Sequence, residues 1–511
     1  MTVAAALAVV LVAVSLVATW CVGRRNTSAD THLVAGGAIT PRANGVAIAG
    51  DYISASTFLG VTGAIALTGF NGFYLAVFVP VAYVVTLLVV AGPLRNLGRY
   101  TLADVVCARF PERSVRVAMG LTCAVVNVLF LVSQLVGAAL LTALLFGTEF
   151  ETGVVVIALL TVAYTAVGGM YATTWIQICK TVLLAIGMCL VAALVLGRVG
   201  SPLDLFDRAR ELYGPAGTAP TRRSALEGLG NVSQTLGLVL GVAGLPHVMT
   251  RFLTVPDSRA ARRSALTALW IFSGVFALLP VLGYGAAVIV GRDALRAQNR
   301  SGTLAMPQLA AALGGEVLLG AIAALAFVTL LAVLAGLVIS TTGALAHDLY
   351  GTVLRGGRVS PAHRFVAARV ASVLACSVAA WLALGSRHTN VAVLAALATT
   401  VAAAATLPAL VCTIYCRATT ARSVVVGMGV GVVLTVGLIL AGPVSRGEAA
   451  LFPLVNPAIV SVPVAVATFL VVGVVTHRRL PAAERERADQ EFSRTRRRAL
   501  SGPRGTVASP R

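Results

Sequence analysis

Asp51 is the only carboxylate deep within an apolar run of this 511-residue chain, and Lys180, its only lysine, also falls inside one. Leaving a charge unpaired at membrane depth costs about 2.5–3.5 kcal/mol, so such residues are retained for chemistry by default. Asp51 is suited to bind a cation, to carry a coupling proton or to pair with Lys180. Its other reading is a cap on the following half-helix, accepting from the amides of Ile53 or Ser54. Lys180 sits about six residues into its run, near 9 Å deep. There it either exchanges a proton or snorkels to the nearby surface.

The residues around Asp51 break a helix. Gly45, Gly50, Ser54, Ser56, Thr57 and Gly60 fall within sixteen positions, and a second run holds Gly237, Gly241, Gly244, Pro246 and His247. Gly and Pro interrupt the hydrogen-bond ladder, and a bilayer tolerates this only where the break lines a cavity. Two interrupted helices at corresponding places of two halves point to a transporter's binding site. Freed amides receive an anion there and freed carbonyls a cation; the plain alternative is close packing of small residues. Candidate substrate contacts are Ser54, Ser56, Thr57 and Phe58 on the first break. Asn127, Ser133 and Gln134 on a later run and the Gly241–Gly244 break complete the set. Each hydroxyl also has a plain reading, a bond to the carbonyl one turn back. No arginine is expected at that depth. His247 and Arg251 are expected at the inner end of their run, gating or pairing with Asp257 or Asp348.

Thirteen apolar runs position these residues: 3–22, 44–69, 73–94, 115–146, 152–168, 174–197, 228–250, 264–291, 315–347, 365–385, 389–416, 423–443 and 455–476. With 58% hydrophobic and 11% charged residues there are too few charges to coat a soluble globule. The expected class is an all-α polytopic membrane protein. Runs two to six (44–197) and seven to eleven (228–416) form two blocks of five. Five is odd, so the second block enters the membrane inverted. Segment 1–43 holds a first span and loop, 198–227 an external loop, 417–476 two peripheral spans and 477–511 a basic tail.

The net charge of +20 reads as topology rather than as a nucleic-acid partner. With the N-terminus outside, 28 of the 39 basic residues fall at the cytosolic face and 10 outside. The C-terminus is then cytosolic in a cell membrane, and its arginine run reads as a disordered tail touching lipid. The first run lacks the basic start and cleavage site of a signal peptide. The eight cysteines read as small apolar filler, and no organic cofactor is expected.

Four segments carry a family resemblance. They are Ala-Gly-Asp-Tyr-Ile-Ser at 49–54, Gly-Gly-Met at 168–170 leading into Trp175-Ile-Gln-Ile-Cys-Lys180, Gly-Leu-Pro-His-Val-Met-Thr-Arg-Phe-Leu-Thr-Val-Pro-Asp at 244–257, and His-Asp-Leu-Tyr at 347–350. Over about residues 30–480 the chain resembles the sodium:solute symporter family, in its cation:acetate branch. The resemblance implies the LeuT-type architecture, five plus five inverted spans with one before and two after. It implies cation-coupled symport, by sodium or proton, of a small monocarboxylate such as acetate. Pyruvate, propionate or a proline-like solute is the alternative cargo, and a channel a further one. It also implies a bound sodium ion held by carbonyls at Gly50 and Ile53 and by hydroxyls on the eighth core helix. Counted back from Asp348, those hydroxyl positions fall on Ala332 and Val333, a departure from the pattern. Thr329 is the nearest hydroxyl, and Ser340 lies further along the same face.

An enzyme is disfavoured. The sequence has no phosphate-binding Walker loop, no His-Glu-x-x-His and no Gly-x-Ser-x-Gly elbow. Transport must then run on ion gradients.

Overall fold

The computed structural model describes residues 35–502, except 55, 168, 169, 218, 220–224, 357 and 358, together with residues 4–7, 9, 10, 12–14 and 17. Half of the first apolar run, and the 168–169 glycines, lie outside the described residues. Among the described residues, ten helices are long and apolar enough to cross a membrane. Shorter apolar helices at Ala4–Val14, Ser56–Thr68 and Phe150–Thr165 occupy three further expected runs.

The first block begins with α1 (Pro41–Tyr52), breaks, and resumes through a wide turn (Ser56–Val61) into α2 (Thr62–Thr68). It continues with α3 (Phe70–Leu97), α4 (Leu102–Cys107), α5 (Arg113–Phe146), α6 (Phe150–Val167) and α7 (Met170–Val199). After α8 (Pro202–Tyr213), the second block begins with α9 (Ala225–Gly241), which gives way at Val242–Gly244 to the short α10 (Pro246–Met249). Next come α11 (Ser258–Ile289), α12 (Arg292–Gln298), α13 (Ala305–Thr342), α14 (Pro361–Leu384), α15 (Val391–Ala404) and α16 (Thr406–Tyr415). The chain closes with α17 (Ala421–Ala441), α18 (Ala458–Arg478) and α19 (Ala482–Ser501).

The interrupted helices lie inside. α1 packs on α11 and α7, α9 packs on α15 and α3, and α13 packs on α7 and α5. Small residues set these distances: a Cβ on Gly50 would collide with Thr181 and Gln177 of α7, and one on Gly241 with the Thr399 carbonyl of α15. The outer helices turn Leu183 and Ile186 (α7), Val366 and Trp381 (α14), Val433 (α17) and Val471 (α18) outward. A shell of exposed large apolar side chains is stable against lipid tails and not against water.

Two sequence expectations need correction, and a third gains a position. The first break falls at Ile53–Ser54, after Asp51 and Tyr52, while Gly45 and Gly50 stay in regular helix. The chain re-closes its ladder there: the amides of Thr57 and Phe58 donate to the Ser54 carbonyl, and the Thr57 hydroxyl donates to that of Tyr52. The run set at 315–347 starts at Ala305, kinks at Gly314–Gly315, where Gly315 has φ +60°, and continues to Leu354 in a widened turn that holds Asp348. The tail is not disordered through residue 501. α19 buries Phe492, Thr495 and Ala499 on one face, against the end of α3 and against α16. That 3–4 spacing is an amphipathic signal that the arginine count concealed.

Candidate functional site

Asp51 is the last residue but one of α1 and is 2% exposed. Its oxygens do not cap the next half-helix. Oδ2 accepts from Arg251 Nε at 2.5 Å, and Oδ1 accepts from Gln177 Nε2 of α7 at 2.5 Å and from Arg251 Nη2 at 3.3 Å. Arg251 lies in the tight turn Thr250–Thr254 that follows α10, and it is 1% exposed. Its Nη1 donates to Thr174 Oγ1 at 2.6 Å. The expectation that no arginine reaches this depth is therefore wrong. The pairing proposed for Arg251 is wrong too: Asp257 instead caps α11 by accepting from the Ala260 amide, and Asp348 pairs elsewhere. The break at 242–245 lets the chain after α10 turn back into the protein, so Arg251 points at the partner repeat.

Lys180 is the eleventh residue of α7, about 15 Å along it, and is 1% exposed. It neither snorkels nor pairs directly with Asp51. Its Nζ donates to the Thr329 carbonyl of α13 at 3.4 Å. The Thr329 hydroxyl is buried and has no hydrogen-bond partner among the described residues. Gln177, one turn before Lys180, bridges Asp51 and the Ala332 carbonyl at 3.1 Å. Gly50, Asp51, Lys180 and Thr329 thus meet where α1, α7 and α13 converge, and Ile53 is buried just past the end of α1. Gln177 is the residue the sequence reading passed over, although it lies in the Trp175–Lys180 motif on the face of Lys180.

A small cavity of about 20 Å³ lies beside the first break. Tyr52, Ser56 and Thr57 line it with Phe130 of α5, Leu75 of α3 and Phe276 of α11. Of the expected substrate contacts, Ser56 and Thr57 face this space. Ser54 bonds to Ser56 at 2.7 Å, Phe58 packs in the core, and Gly241 and Gly244 press on the backbone of α15 and α16. Ser133 donates to the Phe130 carbonyl, the plain alternative for that hydroxyl, and Gln134 donates to Ser133.

A second cavity of about 20 Å³ lies further along, lined by Thr101, Cys123, Pro246, Thr250, Ser340 and Asp348. Asn127 donates to Ser340 at 3.0 Å at its edge. Asp348 closes its far side: Oδ1 accepts from Thr101 Oγ1 at 3.1 Å and Arg116 Nη1 at 2.9 Å, with His347 Nδ1 at 3.3 Å. His247 lies between the cavities. Its ring packs on Phe130 at 4.9 Å between centroids, and both ring nitrogens are buried without partners among the described residues.

Comparisons with known proteins bear on the family and the fold. The sodium:solute symporter family matches residues 32–431. The chain is 40% identical to the uncharacterized symporter YwcA of Bacillus subtilis (strain 168) over 466 residues, covering 89% of this chain and 90% of that protein. It is 36% identical to the monocarboxylic acid transporter of Corynebacterium glutamicum over 487 residues, covering 89% and 88%. Its fold is similar to that of a Na+-coupled sialic acid symporter solved in a substrate-bound outward-open state, with TM-score 0.72, 17% identity and coverage of 94% and 98%. Mhp1, a nucleobase-cation-symport-1 family transporter in a closed conformation, superposes with TM-score 0.53 at 15% identity, covering 91% and 99%. The architecture is thus the LeuT-type one, and the chain, a multi-pass membrane protein that moves a solute together with a cation and is not an enzyme, belongs to the sodium:solute symporter family.

Proposed function

We propose that this chain is a proton-coupled symporter of a small monocarboxylate such as acetate, working by alternating access across a cell membrane. The carrying observation is the buried cluster of Asp51, Arg251, Gln177 and Lys180, which joins both interrupted helices to α7 and α13. A cation entering or leaving this cluster changes which pairs are satisfied. In a dry interior that shifts the relative stability of two arrangements of the helices.

The proton reading is supported by what surrounds Thr329. Ala332 and Val333 supply no hydroxyl for a sodium ion, and the Lys180 ammonium takes the carbonyl of Thr329 itself. One observation favours sodium instead. The Thr329 hydroxyl has no partner among the described residues, and with the Gly50 and Ile53 carbonyls it would complete an oxygen-rich site. Uptake of labelled acetate into proteoliposomes separates the two. A pH gradient without sodium is expected to drive accumulation. Robust accumulation on a sodium gradient alone would sink the proton version.

The cargo reading is supported by the name of the Corynebacterium relative and by a central cavity with three hydroxyl-bearing residues among apolar walls. Competition by unlabelled pyruvate, propionate and proline ranks the alternatives. The orientation follows the charge bias: the α19 face is placed in the cytosol and the N-terminus outside.

A further inference from the structure

Asn71 and Asn96 stand at opposite ends of α3, and Asn96 Nδ2 donates to the Ala499 carbonyl of α19. Asn71 therefore marks the face opposite α19. On that face a vestibule of about 650 Å³ opens to the surroundings. Its wall carries Arg292, Arg296 and Arg300, with His388 across from them, against one lining carboxylate, Glu227. Arg387, just outside, is matched by Glu151 at 3.6 Å, and Asp293, exposed on α12, is not part of the lining.

One of the three arginines is held in place. Arg292 donates to the Leu67 carbonyl at 3.1 Å and lies over the Tyr213 ring at 4.6 Å, which fixes α12 against α2. Arg296 follows one helical turn on, and both Arg296 and Arg300 are exposed. The floor connects to the first break. Asn390 donates to the Gly60 carbonyl at 3.1 Å and the Ser301 carbonyl at 2.8 Å, and Leu75 lines both the vestibule and the central cavity. A recess of one sign with apolar walls focuses its field and raises the local concentration of the opposite charge.

We propose that this vestibule is an anion-collecting site that draws small carboxylates towards the interrupted helices before they reach the central cavity. The proposal rests on a monocarboxylate being the cargo. Arg296 and Arg300 supply the attraction, and Arg292 sets the geometry.

The test uses the full-length chain carrying Thr389→Cys, on the vestibule wall. It is labelled with sulfonatoethyl or trimethylammonioethyl methanethiosulfonate and read by mass spectrometry at position 389. Each rate is divided by that reagent's rate with a small free thiol. At low ionic strength the anion-to-cation ratio is expected above one, about three- to tenfold. It should fall towards one in about 0.3 M salt and with Arg296→Gln and Arg300→Gln. A ratio at or below one, or one untouched by the two substitutions, overturns the proposal. Acetate uptake is the second readout: the double arginine variant should raise KM about threefold or more and leave the maximal rate unchanged. An unchanged KM in a chain that does carry acetate overturns the collecting role. If the reagent ratio holds while the unmodified chain carries no acetate, the cargo reading falls and the attraction of anions stands, because that ratio needs no substrate.

Discussion

The carboxylate of Asp51 and the guanidinium of Arg251 form a buried ion pair, 200 residues apart in sequence, that ties the first interrupted helix to the second. Both groups are almost wholly excluded from solvent. Removing one partner of such a pair leaves a lone charge in a dry interior, a loss of about 3–5 kcal/mol. Asp51→Asn and Arg251→Gln should therefore each lower the melting temperature in detergent by several degrees and abolish uptake. The double substitution should recover much of the thermal stability, because no lone charge remains, and should stay inactive. Full uptake by the double variant would show that the pair serves folding alone.

Lys180 makes a different prediction. Within the cluster its ammonium touches the Thr329 carbonyl and does not bond to Asp51 itself. Lys180→Met keeps the bulk of the chain and removes the exchangeable proton. Accumulation against a gradient should drop at least tenfold, while exchange of labelled for unlabelled acetate across equilibrated vesicles continues. Unimpaired accumulation on a pH gradient would exclude Lys180 as the coupling group.

Composition and small-residue clusters made the architecture legible: two blocks of five and an interruption at the start of each. Asp51 and Lys180 stood out because charge is rare in apolar runs. Arg251 did not, because linear spacing puts it past the end of its run. Only the turn after α10 carries it back inside, and that turn depends on how residues 242–245 leave the helix. Gln177 was concealed by being neutral, and its role emerges from packing between α1 and α13. α19 was hidden by its arginines, since three buried positions among twenty barely shift the mean character of the segment.

His247 packs on Phe130 with both ring nitrogens buried and unpartnered among the described residues. Unsatisfied buried polar atoms cost about 1–3 kcal/mol each, so a purely structural role would be better filled by an apolar ring. His247→Phe should keep or raise thermal stability and reduce acetate uptake at least tenfold. The site lies between the two cavities, so the loss should fall on the transport rate rather than on KM. Equal or faster uptake in a stabilised variant would assign His247 to packing.

The α19 contact gives a pH prediction outside the membrane. Asp489 accepts from Arg417 at 2.7 and 2.5 Å, and this bond holds its carboxyl below the ordinary carboxylate value of about 3.9. A group whose folded value is depressed adds stability that is complete above its unfolded value and is lost as pH falls through the folded one. Docking of α19 through this ion pair should thus weaken below about pH 4, where the carboxylate that faces both Arg417 and, at 3.5 Å, His477 of α18 is lost. Arg109, sandwiched between Phe110 and Phe492 at 4.8 Å and bonded to the Cys416, Arg417 and Thr419 carbonyls, supplies a part of the docking that does not titrate there. Hydrogen-exchange protection of residues 482–501, corrected for intrinsic rates, should fall on acidification in the unmodified chain. In Asp489→Asn it should start lower and change less with pH. Because Arg417 is exposed, about 0.5 M salt should produce a similar partial loss at pH 7. Protection that is insensitive to both acid and salt would show that Phe492 and Arg109 hold α19 without the ion pair.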